Sequence, residues 1–355
     1  MQCFVDPYAL TKALQAVERY TVPGSQGLST IQGEIHDDQM TWMATDAMHR
    51  YQVTIPAGVQ EAGTILIPAG TVSAYVAKLT NGPVMLSTEG NMLHVTVKRQ
   101  HARFALGTET PPLDWPAVSD GSPQPFAEFP EILRHLGFAT EKANGSRPML
   151  QGIYANPVGN TTEWVATDGS RLSRWTSAHL PFPAAIFPLK GVQELARGND
   201  MSVVWDNQFA VGTSSTTEIR MRMLAGDFPD YTRVIPKDFV AVTTVDAEAL
   251  RGALGRLDIL AQRTTNASVE LALEASGVSL TVAGNGPHGE DFLEGDTDGN
   301  VPSILFNPAL LLEALKGLPA GSCTIQFSGE QYPARLTHEA LPHWEYIVLP
   351  LRKLT

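Results

Sequence analysis

An internal repeat with a period near ~120 residues constrains this chain more than any other feature, because a self-similar sequence must fold as copies of one unit. Leu10, Ala13, Leu14 and Val17 are spaced i, i+3, i+4, i+7, one face of an amphipathic helix. Adding 122 to each position gives Ile132, His135, Leu136 and Ala139, and a further 118 gives Leu250, Ala253, Leu254 and Leu257. A second face repeats in the same order: Val72, Tyr75, Val76, Leu79, then Val192, Leu195, Ala196, Asn199, then Leu311, Ala314, Leu315, Leu318. Each copy follows a short apolar run that reads as a strand feeding a helix: Ile65 to Pro68, Ala185 to Pro188, Ile304 to Asn307. Between the two helices, Trp42-Met43-Ala44-Thr45-Asp46 returns as Trp164-Val165-Ala166-Thr167-Asp168, with Leu280 to Asn285 in the third place. Each predicts a strand ending in a turn, and Asp168-Gly169 predicts a type I′ hairpin.

The reading is α+β: three tandem homologous domains, each with two helices and antiparallel strands, over 1–119, 124–240 and 241–355. A first linker, Thr110 to Pro125, holds five prolines, and a second runs near Lys237 to Thr243. Alternating stretches such as Met92 to Val97 and Ser279 to Val282 predict half-buried strands.

Composition narrows the function classes. With 43% hydrophobic and 17% charged residues, the chain can bury real cores. Lys+Arg 25 against Asp+Glu 37 leaves a net charge of -12, which argues against a simple basic DNA-coating protein but allows a locally basic lining. The longest apolar runs, such as Phe182 to Leu189, are cut by prolines and too short to span a bilayer. The start lacks a basic n-region and an apolar h-region, so no secretory signal is expected. Cys3 and Cys323 make no disulfide framework. These features predict a cytoplasmic protein without membrane attachment.

The chemical motifs are weak. Gly284-Asn285-Gly286-Pro287-His288-Gly289 matches G-x-G-x-x-G, but Pro287 and the acidic stretch behind it argue for a hairpin turn rather than a nucleotide loop. Asp296-Thr297-Asp298-Gly299-Asn300 has its glycine at the wrong place for an EF-hand, and reads as an exposed acidic loop. His36, Asp37, Asp38 and His49 have no metal-ligand spacing, and no Ser/His/Asp arrangement is recognisable. No catalytic residue, metal or cofactor is assigned. His135 reads as a core histidine with one satisfied nitrogen. Basic residues fall on the helices, at Lys12, Arg19, Lys78, Arg134, Arg197, Arg251, Arg256 and Lys316. They are either ordinary solvated faces, as Glu18, Glu194 and Glu313 on the same helices suggest, or a surface facing phosphate.

Three stretches carry a resemblance over nearly the whole chain: Val165-Ala166-Thr167-Asp168-Gly169-Ser170-Arg171-Leu172, Phe228-Pro229-Asp230-Tyr231-Thr232-Arg233-Val234-Ile235-Pro236, and Tyr346-Ile347-Val348-Leu349-Pro350-Leu351-Arg352. In this order, on three α+β repeats, they resemble the bacterial β sliding clamps of the replicative DNA polymerase. The resemblance implies a head-to-tail homodimer whose six domains close a ring, with helices toward the hole and sheets outside. It implies a non-enzymatic ring that encircles double-stranded DNA without sequence preference and tethers the polymerase. It also implies a clamp loader, since this chain has no P-loop, and other proteins carrying clamp-binding peptides.

The matching partner-peptide positions are Leu150, Thr167, Gly169, Ser170, Arg171, Leu172, Pro229, Arg233, Val234, Ile347, Val348, Leu349, Pro350, Leu351 and Arg352, with Arg171, Arg233 and Arg352 expected to meet carboxylates. DNA-facing positions would be Lys12, Arg19, Lys78, Arg134, Lys190, Arg197, Arg251 and Lys316. Phe104 and Leu106 match one side of the subunit contact, and Ile259 and Leu260 the other. Departures stand at Ser170 and Thr232, where the family usually carries other residues, and near Asn266, where it has an aromatic wall. The alternatives are a diverged clamp paralogue that binds a protein or small ligand without loading on DNA, and an unrelated metabolic enzyme using the glycine-rich turn.

Overall fold

The computed structural model describes residues 1–79, 82–118, 121–198, 200–264 and 267–352. The expectations placed on Asn199, Asn266 and Lys353 to Thr355 lie outside the described residues. Six α-helices are found among them: α1 (Pro7–Glu18), α2 (Thr71–Val76), α3 (Phe129–Leu136), α4 (Leu189–Leu195), α5 (Ala247–Ala261) and α6 (Pro308–Leu315). The chain forms two compact units, Met1–Ala127 with Arg197–Met223, and Glu128–Ala196 with Leu224–Thr355. The stretch expected as the middle repeat is thus divided between them.

In the first unit, five strands run in the order Gly58–Glu61, Gln2–Val5, Val84–Glu89, Met92–Val97, Gln100–Ala105. An eight-stranded sheet runs Gln124–Pro125, Ser202–Trp205, Phe209–Thr213, Thr217–Arg222, His49–Pro56, Gln39–Thr45, Thr30–His36, Gly63–Pro68. Its middle is a seam between repeats, where Thr217 to Met221 pair antiparallel with Val53 to His49. Across it Arg50 Nη1 donates to Glu218 Oε1 at 2.7 Å.

In the second unit one twelve-stranded sheet runs Ala185–Pro188, Gly152–Val158, Thr161–Thr167, Arg171–Ala178, Trp344–Val348, Ala334–His338, Ser322–Phe327, Ala241–Asp246, Glu290–Gly299, Gly277–Ala283, Ser268–Glu274, Ile304–Phe306. It holds a seam of the same kind, Arg171 to Trp175 against Val348 to Trp344.

The repeat persists to single hydrogen bonds. Asp6 caps α1 by accepting from Ala9 N at 2.8 Å, and Asp246 caps α5 by accepting from Ala249 N at 2.7 Å. Each cap satisfies a backbone donor that the helix leaves open and stabilises it by about 1 kcal/mol. The expected faces are buried: Leu10, Ala13, Leu14 and Val17 on α1, Leu250, Ala253, Leu254 and Leu257 on α5. α2, α4 and α6 end before their heptads finish. Leu79, Ala196 and Leu318 follow their helices rather than continue them. Gly317 and Pro319 show why for α6, since glycine weakens and proline breaks a helix.

The hairpin turn corrects the type I′ expectation. At Asp168-Gly169 only Gly169 has a positive φ, +88°. The turn is built by Asp168 Oδ1 accepting from Ser170 N and Arg171 N, and by Thr167 Oγ1 donating to Arg171 O. The first repeat makes the same bonds with Asp46, Met48, His49 and Thr45, and Ala47 takes the left-handed place at φ 71°. Side-chain acceptors, not a pair of left-handed residues, fix this turn.

Asp296, Thr297 and Asp298 are likewise not a loop. They lie on Glu290–Gly299, paired with Ala241 to Val245, and the Thr297 and Thr243 hydroxyls are 3.0 Å apart. Cross-strand bonding overrides the poor strand propensity of aspartate. Gly284 to Gly289 connects two strands, as expected, and no helix opens there.

Candidate functional site

The second unit contains a cleft of ≈ 190 Å³ with a mostly apolar lining. Its floor is built where the seam strands meet: Val165, Leu172 and Ile347 are each 3% exposed or less, and Tyr231 joins them. Tyr154 and Phe228 support it from below, their rings stacked with centroids 4.6 Å apart. Leu150 comes from the short 3-10 turn Pro148–Leu150, and Pro229, Asp230 and Val234 come from the segment around the 3-10 turn Tyr231–Arg233. Leu349 closes the remaining side, its N–H donating to Ser170 O at 3.0 Å. Val234 and Leu349 remain 43% and 41% exposed, so the cleft offers uncovered apolar surface.

A polar chain fixes the floor. The Tyr231 hydroxyl accepts from Asn156 Nδ2 at 2.8 Å and donates to Glu163. Burial and the bond to Glu163 push its pKa above the ordinary phenol range. Glu163 also meets Arg174 Nη1 at 2.9 Å, and Arg174 Nη2 reaches Glu345 at 2.7 Å. The phenol therefore stays neutral, and its charged neighbours are paired within the sheet.

The arginines are placed differently from expectation. Arg171 is 9% exposed. Its Nε donates to Asp168 Oδ2 at 3.0 Å, its Nη2 to Phe138 O at 2.7 Å and its Nη1 to Glu313. It is a pin between the hairpin turn and α6, with each guanidinium nitrogen already engaged once within the unit while the residue also lines the cleft. Arg233 is paired with Asp230 at 2.8 Å but its side chain is 82% exposed. The Thr232 hydroxyl, with Arg233, holds the Asp230 carboxyl below its usual range. Sequence reasoning missed Arg147, whose Nη2 donates to Asp168 O and whose Nε donates to Glu141 at 3.2 Å. Gly169 allows this approach: a Cβ there would lie 2.7 Å from Arg147 Nη1.

Of the expected peptide positions, Leu150, Thr167, Gly169, Arg171, Leu172, Pro229, Val234, Ile347 and Leu349 line the cleft, together with Arg147, Asp230 and Tyr231. Ser170, Arg233, Val348, Pro350, Leu351 and Arg352 do not. Alternation accounts for Val348, the buried neighbour of Ile347. Leu351 is held elsewhere, its N–H donating to Leu305 O at 2.7 Å. Asp230 and Tyr231 were visible in the Phe228 to Pro236 stretch, whereas Arg147 had no local signal.

Of the cations expected on the helices, Lys12, Arg134, Lys190 and Arg251 lie within them, whereas Arg19 and Lys316 stand at the C-caps of α1 and α6, and Lys78 and Arg197 follow the ends of α2 and α4, because those helices stop short of the apolar stripes. Lys12, Arg19, Lys78, Arg134, Arg197 and Lys316 are exposed, and Lys190 and Arg251 half-buried. Arg134 pairs with Glu131 at 3.0 Å and Arg251 with Glu248 at 3.1 Å. Of the acids expected to solvate these helices, Glu194 is buried, 6% exposed, and Glu313 stays partly exposed while holding Arg171. Among the described residues, Gln100–Ala105 has a strand neighbour on one side only, and so has the Glu290 to Glu294 half of Glu290–Gly299. Phe104 lies opposite Leu93 and edge-on to Tyr75, with Leu106 half-buried just beyond. Ile259 is 67% exposed on α5, and Leu260 is half-buried beside it.

His135 is 1% exposed, stacked on Trp175, with Nε2 3.2 Å from Glu131. Among the described residues no group of three or more His, Cys, Asp or Glu could hold a metal ion, and no helix is long and apolar enough to cross a membrane.

Comparison with known proteins places these features in a family. The family model for the N-terminal domain of the DNA polymerase III beta subunit matches residues 1–119, and that for its C-terminal domain matches residues 232–352. The beta sliding clamp of Caulobacter vibrioides is 29% identical over 386 residues, covering 99% of this chain and 100% of that protein. That of Pseudomonas putida is 27% identical over 368 residues, covering 97% and 98%. A solved C. crescentus beta sliding clamp, with PEG bound to a putative beta-motif tethering region, superposes with a TM-score of 0.88 at 26% identity over 99% of each chain. The beta subunit from DNA polymerase of Streptococcus pyogenes, at 20% identity, shares the fold with a TM-score of 0.92 over 99% of this chain and 100% of that one.

Proposed function

The chain belongs to the beta subunit family of DNA polymerase III, the bacterial beta sliding clamps, and from that premise we propose how its residues perform the clamp's task. It is a DNA sliding clamp that tethers the replicative polymerase for processive synthesis. The observation that carries the finer reading is the pair of equivalent sheet seams, with two equivalent edges left unfilled. A third seam of the same kind, Gln100–Ala105 of one copy against Glu290 to Glu294 of another, would close a head-to-tail dimer with Phe104, Leu106, Ile259 and Leu260 at the joint. The three domains, 1–119, 124–240 and 241–355, are then the repeating units of a six-domain ring.

In that ring the exposed cations on the helices and just beyond their ends, Lys12, Arg19, Lys78, Arg134, Arg197 and Lys316 foremost, contact phosphate weakly and without sequence preference, so the ring slides. The protein acts by topology and effective concentration, not by bond chemistry. An external ATP-driven loader opens it. The apolar cleft takes an extended peptide from the polymerase or another partner: Leu150, Leu172, Val234, Ile347 and Leu349 receive apolar side chains, and Arg147 and Arg233 meet the peptide's acids at the rim.

The test is loading onto closed circular duplex with the cognate loader and ATP, followed by linearisation. Release on cutting is the expected result. Retention on cut DNA would overturn the topological reading. Peptide binding without any loading would favour the paralogue that has left DNA behind.

A further inference from the structure

We propose that His94 and His101 form a binding site for a divalent transition-metal ion, on the face of the five-stranded sheet opposite Phe104. The two residues lie on neighbouring strands, Met92–Val97 and Gln100–Ala105, where Leu93 pairs with Phe104, His94 with Arg103 and Thr96 with His101. Strand alternation sends Leu93, Val95 and Val97 into the core, each 1% exposed or less, and leaves His94, Thr96, His101 and Arg103 together on the other face.

There the imidazoles approach nitrogen to nitrogen. His94 Nδ1 lies 3.2 Å from His101 Nε2, with ring centroids 5.3 Å apart. Two ring nitrogens that face each other must share a proton or give both lone pairs to a cation. The spacing suits the cation: two nitrogens about 2.0–2.1 Å from zinc at a tetrahedral angle are roughly 3.3 Å apart. Glu89 Oε2 sits 3.7 Å from His94 Nε2, the ring's far nitrogen. Its negative charge beside the pair favours a cation there.

The donor set selects the ion. Imidazole nitrogens suit Zn²⁺, Ni²⁺ and Cu²⁺, and do not suit Mg²⁺ or Ca²⁺. Two protein ligands leave the remaining positions to water, so the ion exchanges readily. Arg103, the cross-strand neighbour of His94 on this face, repels it and keeps the affinity modest. A bound ion ties the hairpin that carries the edge strand and stabilises it by mass action. Binding uses the lone pairs of both rings, so the ion competes with protons for them.

The experiment is isothermal titration of the full-length protein with zinc chloride in chelator-free buffer at pH 7.5, repeated at pH 5.5 and with magnesium chloride. The expected result is one zinc per chain at pH 7.5, at least tenfold weaker binding at pH 5.5, and no magnesium heat. His94→Gln and His101→Gln should each weaken zinc binding by tenfold or more, while circular dichroism melting without metal matches the parent. Absence of zinc binding to the parent overturns the proposal. So does zinc binding that survives the double substitution, which would place the ion elsewhere.

Discussion

Replacing Arg171 with alanine separates a structural pin from a ligand contact. In the structure the guanidinium is buried and bonded to Asp168, Phe138 O and Glu313. Breaking one side of a buried charge pair typically costs ~3–5 kcal/mol, because the abandoned partner stays desolvated. Here Glu313 is 41% exposed and can turn to water, so the loss falls at the lower end, about 3 kcal/mol. For a unit of this size each kcal/mol lowers Tm by roughly 2–4 °C, giving a drop of about 6–12 °C. Differential scanning calorimetry reads the melting, and fluorescence anisotropy of a labelled clamp-binding peptide from the cognate polymerase reads the cleft. Glu313→Gln should recover part of the effect in a double-mutant cycle, with a coupling of about 1.5–3 kcal/mol. If Arg171→Ala melts within 2 °C (roughly 0.5–1 kcal/mol) of the parent and still loses peptide affinity tenfold or more, the guanidinium serves the ligand and the pin is refuted.

Phe104→Arg, or Ile259 and Leu260 both changed to aspartate, should give monomers by analytical ultracentrifugation with the secondary structure kept; a dimeric triple variant would remove the interface from these strands. Leu349→Ala strips a half-exposed cleft wall and should weaken the peptide by about tenfold, near 1.4 kcal/mol, without changing Tm. Truncation from Leu349 onward should abolish peptide binding with the dimer intact, as measured by the same anisotropy and sedimentation assays. Burial holds the His135 pKa below the ordinary imidazole value, against the pull of Glu131. The unfolded chain therefore takes up a proton that the folded chain refuses, so this stability is present above about pH 6.5 and is lost as pH falls below it. Urea denaturation at pH 5.5 and 7.5 should show that slope, and His135→Gln should flatten it.

Much of this molecule was legible from local spacing. A helix buries the stripe its period dictates, so the α1 and α5 faces could be read from apolar spacing alone, and a 122-residue shift picks out the two equivalent turns. The lengths of α2, α4 and α6 were less legible, since Leu79, Ala196 and Leu318 of their stripes come after the helix has ended. The Asp296 to Asp298 strand was illegible for a related reason: its partner, Ala241 to Val245, lies more than fifty residues away, and pairing energy outweighed composition.

The apolar cleft divides along the same line. Most of its apolar members stand in three stretches that resemble the clamp family, and it was that resemblance, not strand periodicity, that named them. What each charge does there was settled only by the tertiary structure. Arg171 meets Glu313, which is 142 residues distant in sequence, and Arg147 reaches the carbonyl of Asp168 from a separate loop. A buried guanidinium is tolerated only where several acceptors converge on it, and that convergence belongs to the folded sheet and helices rather than to any segment of the chain.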